Sequence, residues 1–234
     1  MNAVLALFRS TLGRKIIMAV TGFVLFGFVI GHMLGNLQVY LGPGAINAYG
    51  EALRHLLHGA GLWIARGGLL VAVALHVWSA ASLTLENRAA RPQGYRTQAW
   101  SESTYASRTM RWSGVMLLSF IVYHLLHLTV GSVHPDFIQG DVYHNFVVGF
   151  RVPLVAGFYI LAMLLLGMHL YHGVWSMLQT LGLSHPRYNN LRHGFATLVA
   201  ATVVIGNISM PVAVLAGIIA ETPSPMRAAQ SLAR

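Results

Sequence analysis

The sequence predicts an all-α membrane protein with five transmembrane helices. Of its 234 residues, 56% are hydrophobic and only 9% are charged, whereas about 25% of the residues of a soluble domain are charged. A helix needs about 20 largely apolar residues to cross a bilayer. Five segments meet this length, at about 16–39, 62–85, 112–133, 152–181 and 195–220. The outer surface of such a helix bundle must contact lipid.

The first apolar segment is interpreted as a retained helix. Arg9, Arg14 and Lys15 precede it, as basic residues precede a signal peptide. The apolar run is too long for the core of a signal peptide, however, and no clear cleavage site follows. The fourth segment is longer than a bilayer requires and is expected to tilt or protrude.

The end of the chain divides into a last helix and a tail. Pro211 lies inside the fifth segment, where proline is expected to kink the helix. Residues 1–220 therefore form one predicted domain. Residues 221–234 contain Pro223 and Pro225 and are expected to form a flexible tail.

The distribution of Lys and Arg predicts the orientation. The N-terminal segment and the second-to-third and fourth-to-fifth loops carry ten of the fifteen basic residues. Four of the six acidic residues fall on the other side. The positive-inside rule then places the N-terminus in the cytoplasm and the C-terminus outside. The net charge of +9 is interpreted as this asymmetry together with contact to acidic headgroups or partners. No basic stripe indicates a nucleic acid partner.

The absence of cysteine limits the cofactors that this chain can hold. It has none, which excludes iron–sulfur clusters, thiolate-ligated haem and covalently attached c-type haem within the chain. Histidine and methionine remain as candidate iron ligands.

Four of the five predicted spans each contain one deeply placed histidine: His32, His76, His124 and His169. A polar side chain in the membrane is costly and indicates a functional site. The alternative for any single one is a hydrogen bond between helices. Four such residues on four helices predict two haems with two histidine ligands each. An iron ligated in this way has no open position and suits electron transfer.

Depth predicts how these histidines pair. His32 and His124 lie in helices that run outward and fall in the outer half of the membrane, whereas His76 and His169 fall in the inner half. At 1.5 Å per residue, the two levels differ by roughly 5–10 Å. The expected pairs are therefore His32 with His124 and His76 with His169.

Spacing alone leaves two competitors for these roles. His127 shares a helical face with His124, and His172 shares one with His169. A haem plane beside a helix needs small neighbouring residues. Such residues lie three or four positions after His32, His76 and His169: Gly35, Ser79, Ala80 and Gly173. His124 has none, whereas His127 is followed by Gly131. For the remaining histidines, a solvated or interfacial position is expected: His55, His58, His134, His144, His185 and His193.

Quinone chemistry needs a proton-exchanging group at the membrane boundary. On a helix, Glu51, Arg54, His55 and His58 share one face just outside the first span. Glu51 or His55 is the candidate for proton exchange, and Tyr49 or Arg54 for positioning. An ordinary amphipathic interfacial helix is an equally good interpretation.

Basic residues at the inner helix starts are candidate partners of haem propionates: Arg14, Lys15, Arg108 and Arg111. Snorkelling of these side chains to the lipid headgroups is at least as good an interpretation.

Five segments together resemble one family. They are STLGRKIIMAVTG at 10–22, GHMLGN at 31–36, LHVWS at 75–79, VYHLLH at 122–127 and MHLYHGVWS at 168–176. Their order and spacing resemble the cytochrome b558 family, the five-helix, dihaem membrane anchor of succinate dehydrogenase and fumarate reductase. The resemblance spans residues 10 to about 190.

This resemblance implies two haem b groups ligated by His32, His124, His76 and His169, in preference to His127 and His172. It also implies quinone, expected to be menaquinone, as the substrate, and a flavoprotein and an iron–sulfur subunit on the cytoplasmic face. The chain would then be a multi-pass protein of the inner membrane of a prokaryote, with the dicarboxylate chemistry on a partner subunit.

The sequence departs from one feature of the family. Some fumarate reductases place a glutamate for transmembrane proton transfer two residues before the fourth-helix ligand, where this chain has Gly167. A chain without that glutamate could still work as a menaquinone-linked succinate dehydrogenase, with the membrane potential helping electrons uphill. Two other interpretations stay open: a haemless structural anchor with a quinone site, and the dihaem b subunit of another dehydrogenase such as a hydrogenase.

Overall fold

Five long helices dominate the structure, a computed structural model that describes residues 7–90, 105–183 and 185–222. Within these ranges the chain is helical and contains no strand. Five helices are long and apolar enough to cross a membrane. They are α1 (Thr11–Asn36), α3 (Ala60–Ala89), α4 (Tyr105–Leu125), α6 (Pro153–Thr180) and α7 (Asn189–Leu215). The predicted all-α fold with five candidate spans is confirmed.

Three of the spanning helices begin closer to the N-terminus than the sequence predicts. Helix α1 begins at Thr11 rather than 16, α4 at Tyr105 rather than 112, and α7 at Asn189 rather than 195. Hydropathy marks only the apolar part of a helix, and these helices continue into polar residues. Ser10 caps α1 by accepting a hydrogen bond from the backbone N–H of Gly13. These three predicted segments therefore start inside their helices rather than at the helix starts.

Two short helices lie at one end of the bundle. Helix α2 (Pro43–His55) follows α1 after a 3₁₀ turn, and α5 (Val142–Phe150) precedes α6. We call this the outer end, and the end at which α1 begins the inner end, after the orientation that the sequence predicts. Asn47 ties the two helices together, because its side chain donates to Asp141 and accepts from the backbone N–H of Tyr143.

Helix α5 was not predicted, because nine residues are too few to cross a membrane. Its sequence signal is Asp141, whose side chain accepts from the backbone N–H of His144 at the helix start. The apolar residues Phe146, Val147 and Phe150 then bury the helix against α6. The largest buried cluster of the described residues therefore lies at the outer end.

The lipid-facing surface carries large apolar side chains. Leu70 on α3, Leu154 on α6 and Leu198 and Ile205 on α7 are all exposed. In water such a surface would be unfavourable, so the exposure fits burial in a bilayer. Helix α7 continues through Pro211, which is buried inside it without ending it.

The structure describes only the first two residues of the predicted tail, Glu221 and Thr222. Glu221, its first predicted residue, pairs with Arg151 at 2.6 Å, so it belongs to the folded outer end. The remainder of the tail, residues 223–234, lies outside the described residues, as does the loop segment 91–104.

Candidate functional site

The four deep histidines meet in two pairs. At the outer level, the rings of His32 on α1 and His124 on α4 lie 5.7 Å apart between centroids. At the inner level, His76 on α3 and His169 on α6 lie 6.4 Å apart. The structure therefore brings together the partners that depth predicts, each from a different helix. Their role as metal ligands stays a prediction.

The separation of the rings fits one metal ion per pair. An imidazole nitrogen binds a first-row metal at about 2 Å, so two imidazoles on opposite sides of an ion have ring centroids roughly 6 Å apart. Both pairs match this value. No group of three or more His, Cys, Asp or Glu side chains in the described residues could hold a metal ion. Two imidazoles per site suit a haem, because the porphyrin supplies the other ligands.

Hydrogen bonds to three of these histidines all involve Nδ1. Nδ1 of His76 lies 3.2 Å from the carbonyl oxygen of Met18 and 3.2 Å from the hydroxyl of Thr21. Nδ1 of His169 lies 3.2 Å from the hydroxyl of Ser113. Nδ1 of His124 lies 3.4 Å from the hydroxyl of Tyr159. Nε2 is therefore the nitrogen that each ring offers to a metal, the arrangement found at many metal-bound histidines.

His32 differs from the other three. Its ring stacks on Phe28 one turn earlier in α1, with centroids 5.2 Å apart. This apolar contact sets the plane of the ring, and the described hydrogen bonds do not include its nitrogens. In the outer pair, a hydroxyl group therefore lies beside the ring of His124, whereas an aromatic side chain packs against the ring of His32.

The two levels are farther apart than predicted. The inner pair lies beside Thr21 on α1 and Ser113 on α4. Each of these residues precedes the outer histidine of its own helix by eleven positions. At 1.5 Å per residue, this corresponds to about 16 Å along each helix, instead of the expected 5–10 Å. The early starts of α1 and α4 explain the difference, because His32 and His124 lie farther along their helices than the apolar segments indicate.

The small residues next to the rings are not those that the sequence singled out. A Cβ atom on Gly35 would meet the ring of Tyr49 at 2.6 Å, so this glycine admits a tyrosine. A Cβ on Gly22 would lie 3.4 Å from His76, and one on Gly114 would lie 3.7 Å from His169. These glycines come from the neighbouring helix, where spacing within one helix cannot find them.

The two competing histidines have other surroundings. His127 is fully buried in a π-helical turn that ends α4, and its Nδ1 lies 3.0 Å from the hydroxyl of Tyr159. Its ring stacks on that of His134, with centroids 5.0 Å apart. His172 is half-buried, and its ring lies 6.0 Å from that of Trp175.

The candidate partners of the haem propionates differ in their exposure and in their contacts. Arg14 pairs with Glu86 of α3 at 3.0 Å. Lys15 and Arg111 are exposed, and the side chain of Arg108 lies outside what the structure describes. None of these positions tests the propionate role.

Buried N–H groups without a hydrogen-bond acceptor gather at the inner end of the described bundle. They are Nε of Arg14, Nε1 of Trp175, and Nε and Nη1 of Arg192. An unpaired buried donor costs about 1–3 kcal/mol. An acidic group at this end would satisfy them, and a haem propionate is such a group. Arg192 and Trp175 were not singled out from the sequence, because neither follows a spacing pattern.

The predicted quinone residues line one cleft at the outer end. Glu51, Arg54 and His55 border it together with other residues of α2 and Gly140 of the turn before α5, and its volume is about 430 Å³. Nε2 of His55 lies 4.0 Å from the Glu51 carboxylate, and both side chains are largely exposed.

Two of the neighbours assigned to this cleft lie elsewhere. His58 does not share the face of Glu51, because α2 ends at His55 and both Leu57 and His58 adopt left-handed backbone conformations. Tyr49 points toward Gly35 of α1. No glycine occupies positions 56–58, where α2 ends, so the sequence carries no turn signal there.

The outer end also contains a buried polar cluster that sequence reasoning missed, formed by residues between α4 and α6 and by Glu221. His144 was expected to be solvated, yet it is only 2% exposed and lies between two carboxylates, 3.4 Å from Asp136 and 3.5 Å from Glu221. His134 is half-buried, and its Nε2 lies 2.7 Å from the carbonyl oxygen of Asn145. Burial holds the pKa of His134 below its usual value.

These features define a class of protein: a multi-pass helical membrane protein with paired histidines buried between its helices. Within that class, the chain belongs to the succinate dehydrogenase/fumarate reductase transmembrane subunit family. The family's sequence model matches residues 84–208, more than half of the chain, including His124 and His169. Comparisons with curated proteins and with solved structures found no significant match.

Proposed function

We propose that this chain is the dihaem cytochrome b anchor of a succinate:quinone oxidoreductase. It would carry electrons between an iron–sulfur partner subunit and membrane quinone. Membership of the transmembrane subunit family supports the membrane-anchor role. The presence of two imidazole pairs, one at each level of the bundle, is the observation that carries the dihaem assignment.

Four residues would hold the two haems. His32 and His124 would ligate the outer iron, and His76 and His169 the inner iron. A bis-histidine haem supplies reversible one-electron transfer without an open ligand position. The chain contributes the orientation of the imidazoles, and four different helices hold the ligands in place.

Two partner subunits are proposed on the inner side. The family is the membrane part of an enzyme whose dicarboxylate chemistry requires further subunits, a flavoprotein and an iron–sulfur protein. The exposed basic side chains of Lys15 and Arg111 lie at the inner end. Such charges would steer an acidic partner to this surface.

The outer cleft is the proposed quinone site. Its volume falls within the range of about 300–1,000 Å³ typical of small-molecule sites. Glu51 and His55 border it and are exposed to solvent, so they can exchange protons with the outer aqueous phase. Arg54 supplies a hydrogen-bond donor for a quinone oxygen.

Menaquinone is the proposed quinone, and succinate oxidation the proposed direction. The position of the proton-transferring glutamate in some relatives is Gly167 here. A Cβ atom on Gly167 would overlap Cγ2 of Val204, so this point of α6 has no room for a longer side chain unless Val204 moves. Without that proton route, electron transfer to a low-potential quinone would draw on the membrane potential. Succinate oxidation that is indifferent to uncouplers would contradict this proposal.

A reduced-minus-oxidised visible spectrum, with haem quantified per polypeptide, tests the proposed function. We expect two low-spin b haems per chain in the purified complex. One haem would mean that one pair is wrongly assigned and would require testing of His127 and His172. A complex that oxidises succinate without haem would leave a structural anchor. A dihaem chain that copurifies with a different dehydrogenase would identify another membrane cytochrome b.

The quinone site needs its own test. Glu51→Gln and Arg54→Ala are expected to raise the KM for quinone by about tenfold, because each removes one directed contact worth about 1–2 kcal/mol. Arg66→Ala is the control, since Arg66 lies on α3 over the ring of Trp63. An unchanged KM in both cleft variants would remove the cleft as the quinone site.

A further inference from the structure

A hydroxyl group supports each histidine of the inner pair. The hydroxyl of Thr21 on α1 lies 3.2 Å from Nδ1 of His76, and the hydroxyl of Ser113 on α4 lies 3.2 Å from Nδ1 of His169. Both side chains are buried. Each hydroxyl therefore reaches a histidine on a different helix from inside the bundle.

The direction of these hydrogen bonds follows from the other contacts of the hydroxyls. Thr21 donates its proton to the carbonyl oxygen of Ile17 at 2.7 Å, and Ser113 donates to the carbonyl oxygen of Met110 at 2.9 Å. Since a hydroxyl has only one proton, each oxygen is left as an acceptor toward the imidazole. Nδ1 of His76 and Nδ1 of His169 must then carry the proton.

The carbonyl of Met18 strengthens this assignment for His76. It can only accept, and it lies 3.2 Å from the same Nδ1 atom. Both inner histidines are thus held in the tautomer whose Nε2 lone pair is free. His32 of the outer pair has apolar stacking on Phe28 instead.

We propose that Thr21 and Ser113 are positioning residues that fix the tautomer of the inner ligands and lower the reduction potential of the inner haem. This inference rests on the proposed dihaem function. A hydrogen bond from Nδ1–H to an acceptor makes an imidazole a stronger electron donor through Nε2. Stronger donation stabilises the ferric state more than the ferrous state, and hydrogen bonding around the ligands is one of the means by which a protein sets a haem potential.

The test uses redox titration of the assembled complex, followed in the visible spectrum. Thr21→Val removes the hydroxyl but keeps the shape of the side chain, and Ser113→Ala removes the other hydroxyl. We expect each variant to keep two haems and to shift one of the two midpoint potentials upward. Both variants should shift the same one, because their histidines belong to one pair.

Conservative and distant variants provide the controls. Thr21→Ser and Ser113→Thr keep a hydroxyl and should restore the wild-type potential. Ser119→Ala on the same helix as Ser113 removes an exposed hydroxyl that bonds only the carbonyl of Val115, and it should shift neither potential.

The outcomes separate this inference from the proposed function. If the wild-type complex holds no haem, the proposed function fails. If it holds two haems but Thr21→Val and Ser113→Ala titrate as the wild type does, the positioning role fails alone. A shift of different haems by the two variants would also overturn it. Loss of one haem in both variants, with retention in Thr21→Ser and Ser113→Thr, would support it.

Discussion

Gly167 of α6 packs directly on Val204 of α7. A Cβ atom at position 167 would overlap Cγ2 of Val204, so only glycine fits there without a shift of this side chain. The small residue Ala200 of α7 is also buried at this contact, as small residues are where membrane helices approach closely. The glycine two residues before His169 thus has a packing role, which accounts for the lack of a carboxylate there.

Substitution of Gly167 is expected to destabilise the protein. A methyl group in Gly167→Ala would overpack the α6–α7 contact at a cost of about 1–3 kcal/mol. Gly157 on the same helix is the matched control, because its position is exposed and a Cβ there would meet no atom within 4 Å. Gly157→Ala should be neutral or stabilising by up to about 1 kcal/mol, since alanine favours helix. Thermal unfolding in detergent measures both.

A second substitution checks the cause. Val204→Ala combined with Gly167→Ala should recover most of the lost stability, because it removes the atom that clashes. Equal unfolding temperatures for Gly167→Ala and Gly157→Ala would contradict the packing explanation.

The pairing of the histidines predicts which variants lose which haem. His32→Ala and His124→Ala should lose the same haem, and His76→Ala and His169→Ala the other. Haem per polypeptide should fall from two to one in each variant, and the remaining midpoint potential should identify the pair. This expectation fails if His32→Ala and His76→Ala lose the same haem.

The competing histidines serve as controls for this series. His127→Ala and His172→Ala should keep two haems, because His127 contacts Tyr159 and His134, and His172 lies beside Trp175. Loss of a haem in either variant would return that histidine to the ligand set.

Tyr159 should matter for the outer pair. Its hydroxyl lies 3.4 Å from Nδ1 of His124 and 3.0 Å from Nδ1 of His127. Tyr159→Phe leaves buried nitrogens without a partner, at a cost of about 1–3 kcal/mol. It should also move the midpoint potential that Thr21→Val leaves unchanged. Tyr123→Phe is the control, because the ring of Tyr123 stacks on His127; an equal effect of both substitutions would contradict this role.

His134 should make stability depend on pH. Burial lowers its pKa in the folded state, whereas an unfolded histidine titrates near about 6.5. The folded state thus favours neutral His134, whose Nδ1 accepts from the backbone N–H of Asp136 at 3.0 Å. The contribution of His134 to the free energy of unfolding should be fully present above about pH 6.5, the unfolded pKa. It should be lost as the pH falls through the lower pKa of the folded state.

The measurement compares unfolding temperatures at pH 7.5 and pH 5.5. The difference should be smaller in His134→Gln than in the wild type, because glutamine cannot take up a proton. The comparison is needed because His144 lies nearby, between Asp136 and Glu221. An unchanged difference in His134→Gln would assign the pH dependence to another group.

Some of the contacts of the candidate site could be predicted from the sequence, and others could not. The neighbours His32 with His124 and His76 with His169 followed from hydropathy and alternating helix direction, because depth in a membrane is nearly a one-dimensional quantity. The distance between the two levels was underestimated, because α1 and α4 begin before their apolar segments do. Helix α5 and the burial of His144 were missed, because a short helix that caps the bundle carries no membrane-spanning signal.

The sequence by itself determined the fold class, the candidate spans and the four deep histidines. Composition and apolar segment length dictate these properties directly, since lipid accepts only helices whose backbone is satisfied internally. Only the tertiary structure decided which hydroxyls support which imidazoles, which glycines face the rings, that Tyr49 packs on Gly35, and that His144 is buried. These contacts join helices far apart in the chain, and their geometry depends on how closely and at what height the helices pack.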